Sequence, residues 1–327
     1  MKAMKTRHQQ ALEKKPLSKR KTESETSPRQ KRFKGDENSQ SARSSAVQHE
    51  KIEASTSASK TSKEQEVLSK EELMQRFTVR QKNLRQNNII GSTSVFKKLC
   101  DSFETSRDPE RGQAMCKYMR NKFEFFGIQA PRRREISKPL WKEMKTLSSS
   151  DLRTLMCEVW YSPEREFQQF ATDLFEREIL RIYLDDGLNL EDYVHSTLDF
   201  VRQFLSSSKS WWDTVDPLAS KVVGPLVKKY PDHLLPVMDE WNVSGVTWLV
   251  RTSIIYQLGY GRDTDAPRLF RYCLKVAHED EFFIQKAIGW ALRQHYRVDP
   301  QAVKTFVTRH KKKLSALSVR EALKHDK

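Results

Sequence analysis

From about Glu71 onward, Leu, Ile, Val, Phe and Trp recur every three or four residues, the period of helices with one apolar face. The spacing predicts a charged entry helix over residues 67–84 and a short amphipathic helix over 95–103. Met115, Tyr118, Met119 and Phe123 predict a helix over 114–126, with Gly127 as its C-cap. Pro131 starts another. Ser162-Pro163-Glu164 then reads as N-cap, first-turn Pro and first-turn acid of a helix with Phe167, Phe170, Leu174, Phe175 and Ile179 on its core side. Further helices are predicted over residues 190–205, 232–241, 247–260, 267–278, 281–297 and 300–310, with a helical turn through 210–216. No alternating strand pair or hairpin dipeptide interrupts them. The expected fold class is therefore all-α. Helix pairs recurring at roughly 35–45 residues suggest a HEAT-like α-solenoid, whose concave wall suits an extended ligand.

Residues 1–75 break this pattern. They hold a single aromatic, Phe33, among long Ser, Thr, Lys and Glu tracts, too little apolar area to offset the entropy of ordering. A disordered basic tail over 1–75 and a helical domain over 76–327 are the expected organisation. Two basic clusters, Lys14 to Lys21 and Arg29 to Lys34, resemble a bipartite nuclear-import signal, which would make an import receptor a partner. The plain alternative is a solvated tail that adds non-specific affinity for DNA. The whole chain of 327 residues carries +16, and residues 76–327 keep +10 of it. A basic folded part favours nucleic acid or another anionic surface through counterion release. The four cysteines are widely spaced without a Cys-x-x-Cys pair, and the eight histidines do not cluster along the chain. Neither a disulfide framework nor a zinc site is expected. No apolar run reaches 18 residues, and no signal-peptide pattern opens the chain, so neither a membrane span nor secretion is expected. On the two basic clusters the expected location is the nucleus, and the expected state is a monomer.

Three segments carry candidate chemistry. Ser210-Trp211-Trp212-Asp213-Thr214-Val215-Asp216 puts Trp212 and Asp216 four apart, on one helical face. Ser210 and Asp213 also fit a capping box, which favours a structural Asp213. Asp216-Pro217 fits an N-cap and first helical position with equal weight. In Trp248-Leu249-Val250-Arg251, Arg251 falls on the apolar side with Ile254, Ile255 and Leu258, where a guanidinium needs an anion. A core carboxylate or a phosphate oxygen would serve. In residues 282–293, Trp290 lies off the core stripe, on a face with Lys286, Arg293 and Arg297, a placement suited to nucleic acid. Arg132, Arg133 and Arg134 sit in the first turn after Pro131, where the helix dipole opposes cations. A phosphate partner and a solvated face are equal readings of them.

These segments resemble the AlkD-type DNA glycosylases. The likeness rests on Ser210–Asp216, Trp248–Arg251 and Phe282–Trp290. Tyr118-Met119-Arg120-Asn121, Phe126–Pro131, Pro163–Gln168 and Ser318–Ala322 add to it, and together they span about residues 92–325. The resemblance implies a HEAT-like solenoid that excises N-alkylated purines such as 7-methylguanine and 3-methyladenine from duplex DNA, with the damaged nucleotide left stacked. It implies Asp216 as the catalytic carboxylate, Trp212 and Trp290 as indoles flanking the sugar of the lesion, and Arg251 as their phosphate or active-site partner. Tyr118 matches a position near the DNA, and Lys286, Arg293, Arg132 and Arg133 are the cations expected along it. Against the family pattern stand the long N-terminal extension, an end at Lys327 expected to shorten the last helix, and Pro217, expected to tilt Asp216.

The residues suit that chemistry on their own terms. Alkylation at N7 or N3 makes the purine cationic and a good leaving group. Its departure leaves an oxocarbenium-like sugar that a fixed carboxylate stabilises and indole faces support. No metal or other cofactor is needed. The rival reading is a non-catalytic HEAT-like scaffold for DNA or protein. Trp212, Asp216, Arg251 and Trp290 occurring together favour the enzyme.

Overall fold

The computed structural model describes residues 92–326. The tail over 1–75, the domain boundary at 76 and the helix expected over 67–84 lie outside the described residues. In chain order the helices are α1 (Ser92–Thr105), α2 (Pro109–Tyr118), α3 (Ala130–Ser137), α4 (Leu140–Met144), α5 (Ser149–Trp160), α6 (Arg165–Glu178), α7 (Leu190–Leu205) and α8 (Trp212–Pro217). They continue with α9 (Gly224–Lys229), α10 (Pro231–Trp241), α11 (Thr247–Ile255), α12 (Ala266–Lys275), α13 (Phe282–Tyr296), α14 (Pro300–His310) and α15 (Ala316–Ala322). Among the described residues the fold is all-α, and the extended pairing they hold is an isolated bridge between Glu124 and Glu164. None of these helices is long and apolar enough to cross a membrane.

The main packing partners lie near one another along the chain: α5 on α1 and α6, α10 on α7 and α11, α11 on α13, and α13 on α15. Such neighbour-on-neighbour burial is how a solenoid builds its core. Two apolar clusters result. One holds Leu99, Phe103, Trp160, Phe175 and Phe204, and the other holds Ile254, Ile288, Leu292 and Val303. The segment from α8 into the next turn gives Val215 to the first and Ala219 to the second, and α11 likewise gives Leu249 and Val250. The two elements that carry Asp216 and Arg251 are thereby clamped between both clusters.

Several expected boundaries move, each for a local reason. The helix expected over 114–126 ends at Tyr118, because Arg120 and Asn121 take left-handed φ of 57° and 55°. Gly127 is not its C-cap. It adopts φ 91° in the following loop, where a Cβ would stand 2.1 Å from the Asp108 carbonyl oxygen, so only glycine fits. Ser162 does not cap α6, whose N-cap is Glu164. The Ser162 hydroxyl instead donates to the Glu158 carbonyl at 2.8 Å. Ser210 does not cap α8 either, and donates to the Phe204 carbonyl at 2.5 Å. Pro217 ends α8 rather than opening a helix, so Asp216 is not an N-cap. Proline has no N–H for the ladder, and the chain passes into a π-helical turn over Leu218–Val223. Helices α4, α5, α9 and α15 have no counterpart among the expected ranges. The Ser148 hydroxyl that accepts from the Asp151 N–H at the start of α5 is the capping signal that marks one of them.

Candidate active site

Two carboxylates on α8 are each held by an arginine from another helix. Asp213 accepts from Arg165 Nε at 3.1 Å and Nη2 at 2.5 Å, and from Gln169 Nε2 at 3.3 Å. Arg165 is wholly buried. It also donates to the Lys209 carbonyl at 2.6 Å and lies over the Phe123 ring at 3.9 Å. An arginine this buried is stable only when its donors are matched, and here they tie α6 to the strand-like approach of α8. What holds Asp213 is this ion pair, and not the capping box expected with Ser210. Arg165 is a residue that sequence reasoning missed. It lies within Pro163–Gln168, beside the apolar stripe of its helix, and no spacing signal marks it as buried.

Asp216 is gripped by Arg251, with Nε to Oδ1 at 2.7 Å and Nη2 to Oδ2 at 2.9 Å. The remaining arm of Arg251 donates from Nη1 to the Phe283 carbonyl at 2.6 Å. The anion demanded by Arg251 on its apolar face is thus a carboxylate. The Arg251 side chain is 5% exposed and that of Asp216 17%, so the carboxylate keeps an open edge while its partner does not. Burial raises the Asp216 carboxyl above its ordinary value, and the Arg251 guanidinium opposes that rise. The fork geometry fixes the plane of the carboxylate as well as its position.

Aromatic side chains surround this pair. The Arg251 guanidinium lies 6.0 Å from the centre of the Trp290 ring. Trp212 stands one helical turn before Asp216, and its ring meets that of Tyr118 edge-on at 6.3 Å. Tyr118 is 74% exposed, an unusual place for an aromatic with no ligand. Trp211, given no role by the sequence, packs on Phe283 at 4.9 Å and Trp248 at 5.5 Å, and Lys122 sits over it at 4.6 Å. This cluster joins α8, α11 and the start of α13 behind the Asp216–Arg251 pair. The loop that carries Lys122 is anchored in turn by Glu166. Its carboxylate accepts the N–H groups of Phe126, Gly127 and Ile128 at 2.9–3.0 Å. Burial nonetheless holds the Glu166 carboxyl above its usual range.

The expected DNA-facing cations divide. Lys286 and Arg293 share the carboxylate of Glu321 on α15, Lys286 at 2.9 Å and Arg293 in a short contact, so both are paired within the chain and the trio keeps a net positive charge. Arg132 is exposed and pairs with Glu135 at 3.0 Å. Arg133 is turned inward, 4% exposed, donating to Gln169 at 2.6 Å and Asp173 at 3.1 Å. A side chain so enclosed cannot meet a phosphate, which corrects its place in the expected cationic face. Arg134 is the outward neighbour, 3.8 Å from Asp173.

The comparisons with known proteins agree with this arrangement. The family described as DNA alkylation repair enzyme matches residues 99–325, which include every residue of the site. The fold is similar to a solved structure from Enterococcus faecalis described as a predicted DNA alkylation repair enzyme. That likeness has a TM-score of 0.58 and 31% identity, over 68% of this chain and 97% of the other. No curated protein matches the sequence. With a family match across more than half of its length and that degree of identity to a solved relative, the chain belongs to the DNA alkylation repair enzyme family.

Proposed function

We propose that the chain is a DNA N-glycosylase that hydrolyses the N-glycosidic bond of cationic N-alkylated purines in duplex DNA, 7-methylguanine and 3-methyladenine among them. The observation that carries the proposal is the carboxylate of Asp216. Both its oxygens are fixed by Arg251, one edge is open, and it sits on the same helical face as Trp212. Such a group has little reason to keep an open edge beside indoles if it only closes a core ion pair.

The C1′–N bond breaks with its electron pair going to the alkylated purine, whose positive charge is thereby neutralised. The sugar takes up the charge as an oxocarbenium ion, and Asp216 stabilises it at close range in a site of lowered dielectric. Water adds to C1′ on the face that the carboxylate lines and gives its proton to the carboxylate or to bulk solvent. Trp212 and Trp290 place π-faces beside a cationic sugar and base. Arg251 keeps Asp216 oriented and ionised. Tyr118 and the outward cations Lys122 and Arg132 meet the duplex, and Lys286 and Arg293 reach phosphate by exchanging Glu321 for it. The chain's own residues supply all of this chemistry, so no cofactor or metal takes part. The chain acts as a monomer. The basic clusters at 14–21 and 29–34 direct it to the nucleus through an import receptor.

The test is release of 7-methylguanine from methylated duplex DNA by wild type and by Asp216→Asn, with chelator present. Release by wild type alone is expected. Equal release by the variant removes Asp216 from the reaction. A folded wild type that binds the duplex without releasing base is instead a non-catalytic scaffold.

A further inference from the structure

We propose that Glu191, His195 and His233 form a transition-metal site of the Zn²⁺ class that clips α7 to α10. One ligand atom from each of the three lies within 4.8 Å of the other two. Glu191 and His195 are four apart on α7 and so share a face, and His233 comes from the first turn of α10, which packs on α7. The two imidazoles meet edge to face with centroids 6.2 Å apart. That is their one contact, for none of the three side chains makes a hydrogen bond or ion pair among the described residues.

Two imidazoles and a carboxylate are a donor set for zinc-like cations, which they bind at about 2.0–2.2 Å. Tetrahedral binding at those lengths puts donors about 3.3–3.5 Å apart. The three side chains are half-buried or exposed, and small rotamer changes close the remaining gap. Glu191 neutralises part of the cation's charge, and Asp192 and Asp232 in the same first turns add negative charge nearby. Three protein ligands leave a fourth position to water, so the site is a surface clip and not a closed structural centre.

The site is separate from the reaction. His195 precedes the C-terminal end of α7 by about ten residues, about 15 Å of helix, and it is that end which leads toward Trp211. The consequence is mechanical. α7 leads into the segment bearing Asp216 and α10 into that bearing Arg251, and a metal bridge at their N-terminal ends fixes the two helices against each other.

The experiment is zinc titration of the metal-free full chain by calorimetry, with a thermal melt at each end and Co²⁺ as an optical probe. Wild type is expected to bind one zinc at this site, melt higher when loaded, and give cobalt d–d bands of an imidazole-containing, low-coordinate site. His195→Ala and His233→Ala should each lose the site, and Glu191→Gln should weaken it while leaving the fold intact by circular dichroism. Wild type without stoichiometric binding overturns the proposal. So does binding that survives in both histidine variants, which would place the metal elsewhere, for instance on another histidine. None of these readouts involves base excision, so they hold whatever the outcome for the glycosylase.

Discussion

Arg251 holds both oxygens of Asp216, at 2.7 and 2.9 Å, and reaches past them to the Phe283 carbonyl at 2.6 Å. One guanidinium thereby links α8, α11 and the beginning of α13. Removing it strands a carboxylate that is mostly enclosed, and breaking such a pair by deleting one partner costs about 3–5 kcal/mol. Arg251→Ala is expected to lose about that much stability in urea denaturation and to lose excision as well. Arg251→Lys keeps the charge but not the fork. It should recover part of the stability while excision stays depressed by about 10²-fold, because the orientation of the carboxylate is what the reaction uses. If Arg251→Lys excises at the wild-type rate, orientation by the fork is irrelevant.

The pH dependence follows from the same pair. Burial raises the Asp216 carboxyl above its ordinary value of 3.8, with Arg251 opposing the rise. The reaction needs the ionised form, so single-turnover excision should fall on the acid side at a pH above 3.8, and this limb should belong to Asp216. The stability effect has the opposite sense. A carboxyl whose pKa is higher in the folded chain than in the unfolded one takes up its proton more readily when folded. Its contribution therefore weakens stability as pH rises from 3.8 through the raised value and stays level above it. An acid limb at or below 3.8 in single-turnover rates would contradict the burial argument.

Tyr118 and Trp290 test the aromatic face in different ways. Tyr118 is almost wholly in solvent apart from its edge contact with Trp212. Tyr118→Ala should therefore leave stability within about 0.5 kcal/mol of wild type. Its affinity for duplex DNA should still drop, because an exposed ring that packs on nothing else has been removed. Trp290 also packs against the second apolar cluster, so Trp290→Ala costs some stability as well. Its distinctive signature is in function. Losing an aromatic face from a nucleic-acid site costs about 1–3 kcal/mol, about tenfold to hundredfold in affinity or rate. Filter binding and single-turnover excision, run on protein shown to be folded, separate the two. Wild-type values for Trp290→Ala in both would make it packing alone.

How much of this was legible in the sequence depends on whether the cause is periodic or pairwise. The helices at 190–205, 231–241, 282–296 and 300–310 follow from apolar spacing and caps, and the structure places them within a residue or so. Arg251 was identifiable as a buried cation needing an anion for the same reason, since periodicity reports which face a residue occupies. It does not report partners. Asp216 lies 35 residues away from Arg251 in the chain, and no local pattern links them. The partner of Asp213 was likewise hidden, because Arg165 is a side chain from α6 that spacing alone reads as one more charge beside a core stripe. The inward turn of Arg133 was invisible because three consecutive arginines look alike until Asp173 selects one of them. Tyr118 ended a helix earlier than its apolar period implied. Of the two left-handed residues after it, Asn121 is of a type that tolerates that conformation, whereas Arg120 is not, so the local sequence announces the turn only in part.

Gly289 offers a test of how closely the last helix must seat. A Cβ placed there would stand 2.4 Å from the Glu321 Cβ and 3.0 Å from the Ser318 carbonyl oxygen, both on α15. Two effects compete in Gly289→Ala. Alanine favours a helix interior over glycine by about 1 kcal/mol. The clash opposes it, and because it is with backbone and a Cβ rather than the tip of a flexible side chain, relief requires α15 to move. Forcing extra volume into a close contact costs about 1–3 kcal/mol. The clash should win, and the variant should be destabilised in urea. The displacement should also reach Glu321, the shared anion of Lys286 and Arg293, and through them the face that carries Trp290. Gly289→Ala is therefore expected to lower duplex affinity even at temperatures where it is fully folded. Glu321→Gln, which frees the two cations without moving the helix, should instead raise that affinity and steepen its dependence on salt. Affinity changes of the same sign in the two variants would mean that α15 does not act through Lys286 and Arg293.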